Sequence, residues 1–296
     1  MLKCFFVTML LGYAASSLGL PLASQYALVI EEANGKVLLA KNADVEVPIA
    51  SLTKLMTAMV VLDAKPDMDE AIPIAEPSVL TKKRCKPRLP VGAMLPRRTV
   101  LGLALMSSDN NAAVSLAYAY PGGIAAFNVA VADKLAALGM RHTHLEEPTG
   151  LSNANRSTAS DLARMAAAAA TYPEIVRITT SSSDTVDVEG RSLQLHNTNH
   201  LVGQLGWDIL LSKTGFTTPA GRCLIMRMQA AGQTVIVVLL KANASSERLR
   251  DALNVRRYLV GVQALRSPGR RVSSHAANDT SASILVNARL DAKPSS

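Results

Sequence analysis

The sequence predicts an α+β fold: an antiparallel sheet of about five strands covered by helices, with an all-helical insertion between the two parts of the sheet. Three observations carry this. Two β-prone runs near the start flank Asn34-Gly35, the middle of the chain places Ala and Leu at helical spacing, and two β-prone runs near the end flank Ala230-Ala231-Gly232. Hairpin, helices, hairpin in that order puts both ends of the folded region into one sheet.

The first pair is Tyr26 to Glu32 and Lys36 to Ala40, joined through Ala33-Asn34-Gly35, where Asn-Gly is a strong hairpin signal. A helix is expected from about Ser51 to Ala64. Helical spacing returns in Thr99 to Met106, Asn111 to Tyr120, Ile124 to Leu138 and Thr158 to Ala170, so the insertion spans about residues 65–180. From Asp184 the pattern reverts to strands: Thr185 to Val188 and Ser192 to Leu195 around Gly190, then Asp208 to Ser212, Arg222 to Gln229 and Gln233 to Leu240. A helix from about Glu247 to Leu265 closes the domain.

The ends read differently. Lys3 precedes an apolar stretch, Cys4 to Ala15, of about a dozen residues, followed by the small residues Ser16 and Ser17. This matches a secretory signal better than a membrane span, which needs roughly 20 apolar residues. Cleavage could follow Ser16, Ser17 or Ala23, and an uncleaved signal anchor is the alternative. The expected organisation is a signal at 1–23, one domain at 24–265 and a Ser-, Ala- and Asn-rich flexible tail at 266–296.

Composition narrows the partners. The chain has 296 residues, 49% hydrophobic, with a net charge of +8 and a pI near 9.5. Such a charge suits an acidic partner. The densest basic cluster, Lys82 to Arg88, lacks aromatic residues for base stacking, so nucleic-acid binding is not expected. The five histidines show no zinc spacing, and neither a metal nor a cofactor is expected. Cys85 and Cys223 could pair in an oxidising compartment or be small buried hydrophobes, the second being favoured for Cys223 in its apolar run.

Three short motifs carry the chemistry. In Ser51-Leu52-Thr53-Lys54 the helical i, i+3 spacing brings the Lys54 amine over the Ser51 hydroxyl, which needs a base to become a nucleophile. Ser108-Asp109-Asn110 falls in a tight turn between two helical runs, where a hydroxyl can relay a proton and an amide can hold a peptide carbonyl. Lys213-Thr214-Gly215 follows a strand, where the cation and hydroxyl can receive a carboxylate and the glycine keeps the wall low beside a substrate backbone. Singly, each also fits a plain role: a solvated helix start, an N-cap, a strand exit. Together and in this order they are the trio found in penicillin-binding proteins and class A β-lactamases.

On these motifs the chain resembles the low-molecular-mass penicillin-binding proteins, the serine-type D-alanyl-D-alanine peptidases, and within them the D-alanyl-D-alanine endopeptidases. The likeness runs from about Tyr26 to Leu259. It includes Pro48 to Ala58, Ala104 to Ala113, Pro148-Thr149-Gly150-Leu151, Ser212 to Phe216 and Ala220-Gly221-Arg222-Cys223.

The resemblance implies a β-lactamase/transpeptidase-like fold and a periplasmic enzyme, touching a membrane only through an uncleaved signal. Its substrates would be peptidoglycan stem peptides and its acylating inhibitors β-lactam antibiotics. Ser51 is implied as nucleophile, Lys54 as its base and Ser108 as proton relay. Asn110, Lys213, Thr214 and Gly215 are implied as substrate-binding, and the backbone N–H groups of Ser51 and Phe216 as the oxyanion hole. Lys54 should have a lowered pKa from burial and from Lys213, whereas Lys213 can stay charged. Arg248 is a possible second carboxylate contact, with Arg250 as near in sequence.

Three other activities are weighed. A β-lactamase of class A would carry a Glu-x-x-Leu-Asn loop, and Glu146-Glu147-Pro148-Thr149-Gly150-Leu151 has the peptidase pattern instead. A silent binding protein would have lost Ser51, Lys54 or Lys213. A carboxypeptidase of the usual type would carry a second β-rich domain, for which the residues after Leu265 are too few, so an endopeptidase is favoured.

Overall fold

The computed structural model describes residues 20–76 and 89–266. The chain opens with β1 (Tyr26–Glu31) and β2 (Val37–Lys41), an antiparallel hairpin. Gly35 sits in its turn at φ +70°, which a side chain would resist, and Asn34 Oδ1 accepts from Lys36 N at 2.9 Å. β3 (Val47–Pro48), a 3-10 turn (Ala50–Leu52) and α1 (Thr53–Asp63) follow. Every residue of α1 from Thr53 to Val61 is buried, the pattern of a helix threaded through a core rather than lying on one.

Next come β4 (Ala71–Pro73), β5 (Met94–Pro96), α2 (Arg97–Leu105), α3 (Asn110–Tyr118), α4 (Gly123–Ala137), β6 (Arg156–Ser157), α5 (Ala159–Ala169) and α6 (Pro173–Thr180). Then β7 (Ser183–Val188) and β8 (Arg191–His196) make a separate hairpin, turning through Glu189 and Gly190, both at positive φ. The long strands β9 (Asp208–Thr217), β10 (Gly221–Ala230) and β11 (Gln233–Ala242) lead to α7 (Ser245–Arg266).

The main sheet has five antiparallel strands in the order β2-β1-β11-β10-β9. Strand β11 shows why it is a core element: Ile236, Val238 and Leu240 face the larger cluster with α1 and α5, while Val235, Val237 and Leu239 face α7 through Ala252, Val255 and Leu259. Period-two alternation with both faces apolar is what a strand covered on two sides requires.

Two expectations are corrected. The insertion is not all helical, because Ile72 pairs with Leu95 in β4–β5 and Val47 with Ser157 in β3–β6. Pro73, Pro96 and Pro48 lack the N–H a ladder needs, which keeps these pairs to two or three residues. The folded region also begins before Ser24. Leu22 is buried against the α7 side of the sheet, Asp251 accepts from Ala23 N at 2.9 Å and Ser24 N at 2.6 Å, and Lys41 Nζ donates to the carbonyls of Leu22 and Ser24. Among the described residues no single helix is long and apolar enough to cross a membrane. Most of the expected signal, the basic cluster with Cys85, and the expected tail from 267 onward lie outside the described residues.

Candidate active site

Ser51 stands in the 3-10 turn ahead of α1, beside Ala50, which is buried with φ +49°. Backbone crowds this turn from two sides. A Cβ on Gly215 would lie 3.0 Å from both Ile49 O and Ser51 N, and one on Gly150 would lie 1.9 Å from Ala50 O. Only glycine lets β9 and the loop after Pro148 come this close to the backbone of Ser51.

Lys54, 1% exposed, sits one turn on. Its Nζ lies 2.9 Å from Ser51 Oγ, 2.7 Å from Asn110 Oδ1 and 2.7 Å from Thr149 O. Two of these partners are carbonyl oxygens that can only accept. They take two N–H bonds, and the remaining tetrahedral position of the nitrogen points to the Ser51 hydroxyl.

Asp109 caps α3 by accepting from Ala112 N at 2.9 Å, and Ser108 takes the left-handed conformation at φ +60°. Capping by the middle residue frees Ser108 and Asn110 to line the cleft. The plain N-cap role and the site role of this motif are therefore divided among its residues.

Lys213 on β9 is 1% exposed and donates to Ser108 Oγ and to Thr214 O, each at 2.9 Å. Burial first, then the charges of Lys54 and Arg248, push its pKa well below the ordinary lysine value. Thr214 Oγ1 is 2.7 Å from Thr198 Oγ1. Phe216, about half exposed, has the Arg222 guanidinium 3.6 Å from its ring centroid. A cleft of about 420 Å³ joins Ser51, Ser108, Asn110, Thr214, Gly215 and Phe216, so the predicted residues converge, with Lys54 and Lys213 beneath its floor.

Arg248 also lines the cleft and donates to Cys223 O at 3.2 Å, whereas Arg250 is exposed. Burial and the neighbouring Arg222 charge lower the Arg248 pKa, despite an opposing contribution from Cys223. Cys223 is a free, buried thiol whose pKa burial pushes up to about 11, leaving it unreactive at neutral pH.

Several contributors were not legible in the sequence. Thr198 and His200 enter from the loop after β8, and Arg222 from β10. Glu147 builds the loop that presents Thr149 O: its Oε2 accepts from Thr149 N at 2.8 Å and its Oε1 from Gly150 N at 2.6 Å. Asn155 ties that loop to α1, donating to Glu147 O at 2.8 Å and Thr53 Oγ1 at 3.1 Å. A buried asparagine bridging two segments has no local pattern to announce it.

The family model described as D-alanyl-D-alanine carboxypeptidase matches residues 14–244. A D-alanyl-D-alanine endopeptidase of Pseudomonas aeruginosa is 47% identical over 247 residues, covering 81% of this chain and 80% of that protein. A protein of the same name from Escherichia coli is 40% identical over 240 residues, covering 80% and 77%. Penicillin-binding protein D2 of Listeria monocytogenes, solved in its ampicillin-bound form, superposes with a TM-score of 0.70 at 29% identity, covering 81% of this chain and 99% of that one.

Proposed function

The chain belongs to the D-alanyl-D-alanine carboxypeptidase family, and from that premise we propose an exported serine peptidase that hydrolyses D-alanyl bonds of peptidoglycan stem peptides, chiefly those in cross-links. The observation that carries the chemistry is the Lys54 amine, held 2.9 Å from Ser51 Oγ by two carbonyls that can only accept.

Ser51 Oγ attacks the D-alanyl carbonyl while Lys54 takes its proton. The backbone N–H groups of Ser51 and Phe216 receive the oxyanion; one such donor is typically worth roughly 2.7–4 kcal/mol. Collapse breaks the C–N bond, and the proton that Lys54 took passes through Ser108, which Lys213 holds, to the leaving amine, so Lys54 is neutral again. Asn110 orients the substrate peptide as well as Lys54, Gly215 keeps the strand wall low beside it, and Lys213, Thr214 and Arg248 receive the carboxylate beside the leaving amine. Water then attacks the acyl-serine, with Lys54 again accepting the proton and returning it to Ser51 Oγ as the acyl C–O bond breaks.

β-Lactams offer the same carbonyl and carboxylate, so they acylate Ser51. Their release is slow because Glu147, the nearest counterpart to a deacylating glutamate, has both oxygens engaged by its own loop. Export fits cleavage after Ser16 or Ser17 rather than Ala23, since the later cut would remove Leu22 from the core. The mass of the mature protein's N-terminal peptide checks this.

The enzyme test is incubation with cross-linked muropeptide dimers and with pentapeptides. Conversion of dimers to monomers that is lost in Ser51→Ala supports the proposal. Release of D-alanine from pentapeptides alone makes it a carboxypeptidase, and labelling of Ser51→Ala by fluorescent penicillin as strongly as wild type ends the acyl-serine mechanism.

A further inference from the structure

The cleft carries more positive charge than one substrate carboxylate uses. Lys213 and Arg248 already serve that carboxylate, yet Arg222 stands beside them on β10, directly across from Phe216 in the sheet register. Stacking at 3.6 Å on the Phe216 ring fixes the guanidinium plane. Its Nε is buried and without a hydrogen-bond partner, and none of the ion pairs among the described residues includes Arg222 or Arg248. No acidic side chain lines the cleft among the described residues.

Two guanidinium groups without a carboxylate between them repel, and a desolvated donor with no acceptor is costly. Two guanidinium groups and, among the described residues, no acidic side chain make this part of the cleft suited to an anion. Its position is set by the pleat. Thr214 and Phe216 are two apart on β9 and share a face, and Arg222, paired with Phe216, lies on that face too. Arg222 therefore flanks the side of the cleft where Thr214 and Arg248 meet the leaving group.

We propose that Arg222 is a specificity-determining residue that receives a second carboxylate of the leaving group. Free D-alanine carries one carboxylate, whereas the peptide released from a cross-link carries others along its strand. Arg222 thus favours cross-linked dimers over pentapeptides as substrates. This rests on the peptidase function proposed above and adds the basis of its preference.

The test compares Arg222→Gln with wild type on a cross-linked dimer, on the same dimer with every acceptor-strand carboxylate amidated except the one beside the leaving amine, and on a pentapeptide. A charge-assisted pair at this site predicts that kcat/KM on the dimer falls roughly 10- to 100-fold in Arg222→Gln, while the pentapeptide changes less than about threefold. Amidation should cost wild type a similar factor and cost Arg222→Gln little. Fluorescent penicillin, which offers one carboxylate, should label both proteins alike and so reports a folded site. Should Arg222→Gln fail to label, Arg222→Lys, which keeps the charge without the fork, carries the comparison and should lose part of the preference. Equal losses on dimer and pentapeptide, or no loss on either, overturn the proposal while leaving the peptidase function standing. A wild-type protein that cuts neither substrate overturns the function itself.

Discussion

Lys213 Nζ lies 2.9 Å from Ser108 Oγ, the same distance that separates Lys54 Nζ from Ser51 Oγ. Two serine–lysine pairs thus serve one cleft, and their surroundings set them apart. Lys54 is cradled by two carbonyls, while Lys213 is buried within reach of the charges of Lys54 and Arg248. A proton on Lys54 opposes one on Lys213, which is part of why the Lys213 pKa is lowered.

Replacing Lys54 by methionine keeps the volume of the side chain and removes the proposed base. The rate of Ser51 acylation by fluorescent penicillin should fall about 10²- to 10⁴-fold, the usual range for general-base loss. A protein of native thermal stability that still labels within threefold of wild type would show that another group takes the proton.

Lys213 predicts a pH dependence. A lysine is charged below its pKa, and this one is lowered well below 10.5 by burial, Lys54 and Arg248. Attraction for a carboxylate is therefore lost as pH rises through the lowered value, and KM should climb there. Lys213→Arg, charged throughout, should keep KM flat over the same window. Folding follows the other sign: between the lowered value and 10.5 the unfolded chain binds more protons than the folded one, so stability rises with pH. Urea midpoints at several pH values should show this rise in wild type and a smaller one in Lys213→Met.

Glu147 is a positioning residue for Lys54, acting through the Thr149 carbonyl. Glu147→Ala leaves the N–H groups of Thr149 and Gly150 without their acceptor, which should cost about 1–3 kcal/mol of stability. Acylation should slow roughly tenfold, and its pH profile should shift because Lys54 loses a fixed acceptor. Glu147→Gln, keeping part of the acceptor set, should restore some of both. An unchanged pH profile would reduce Glu147 to a structural role.

The two glycines against the nucleophile turn should differ in severity. Gly150 has φ +85° and an added Cβ would lie 1.9 Å from Ala50 O, so Gly150→Ala should cost on the order of 4 kcal/mol or more and leave little folded protein. Gly215→Ala meets backbone at 3.0 Å without a positive φ, so the protein should fold with Ser51 displaced and acylate more slowly. Thermal melts and penicillin labelling of both variants check the ranking.

What was legible in the sequence is what local spacing encodes. The i, i+3 placement of Ser51 and Lys54, the Asn34-Gly35 turn and the alternating strands β10 and β11 all follow from short-range rules. Helix α6 is not among the expected helices; it starts at Pro173, which at the first helical position loses no bond. Thr198 and Asn155 carry no local signal, and Arg222 stands in a matching stretch without a role, for a different reason: each meets its partner only through the tertiary fold. Residue 222 reaches Phe216 by β10 pairing, and Asn155 reaches Thr53 across a hundred positions of sequence.

The order of the main sheet bears on when the enzyme can exist at all. Strand β1 pairs on one side with β2 but on the other with β11, Tyr26 opposite Leu240, so the chain's first strand waits for its last. Until β11 is available, the apolar face of β1 and the buried helix α1 lack most of the sheet they pack against. Pairing the first strand with the last closes a long loop before the contacts form, which slows folding. A newly made chain cannot complete the sheet that carries β9 and the cleft wall until it has been made through its final strand.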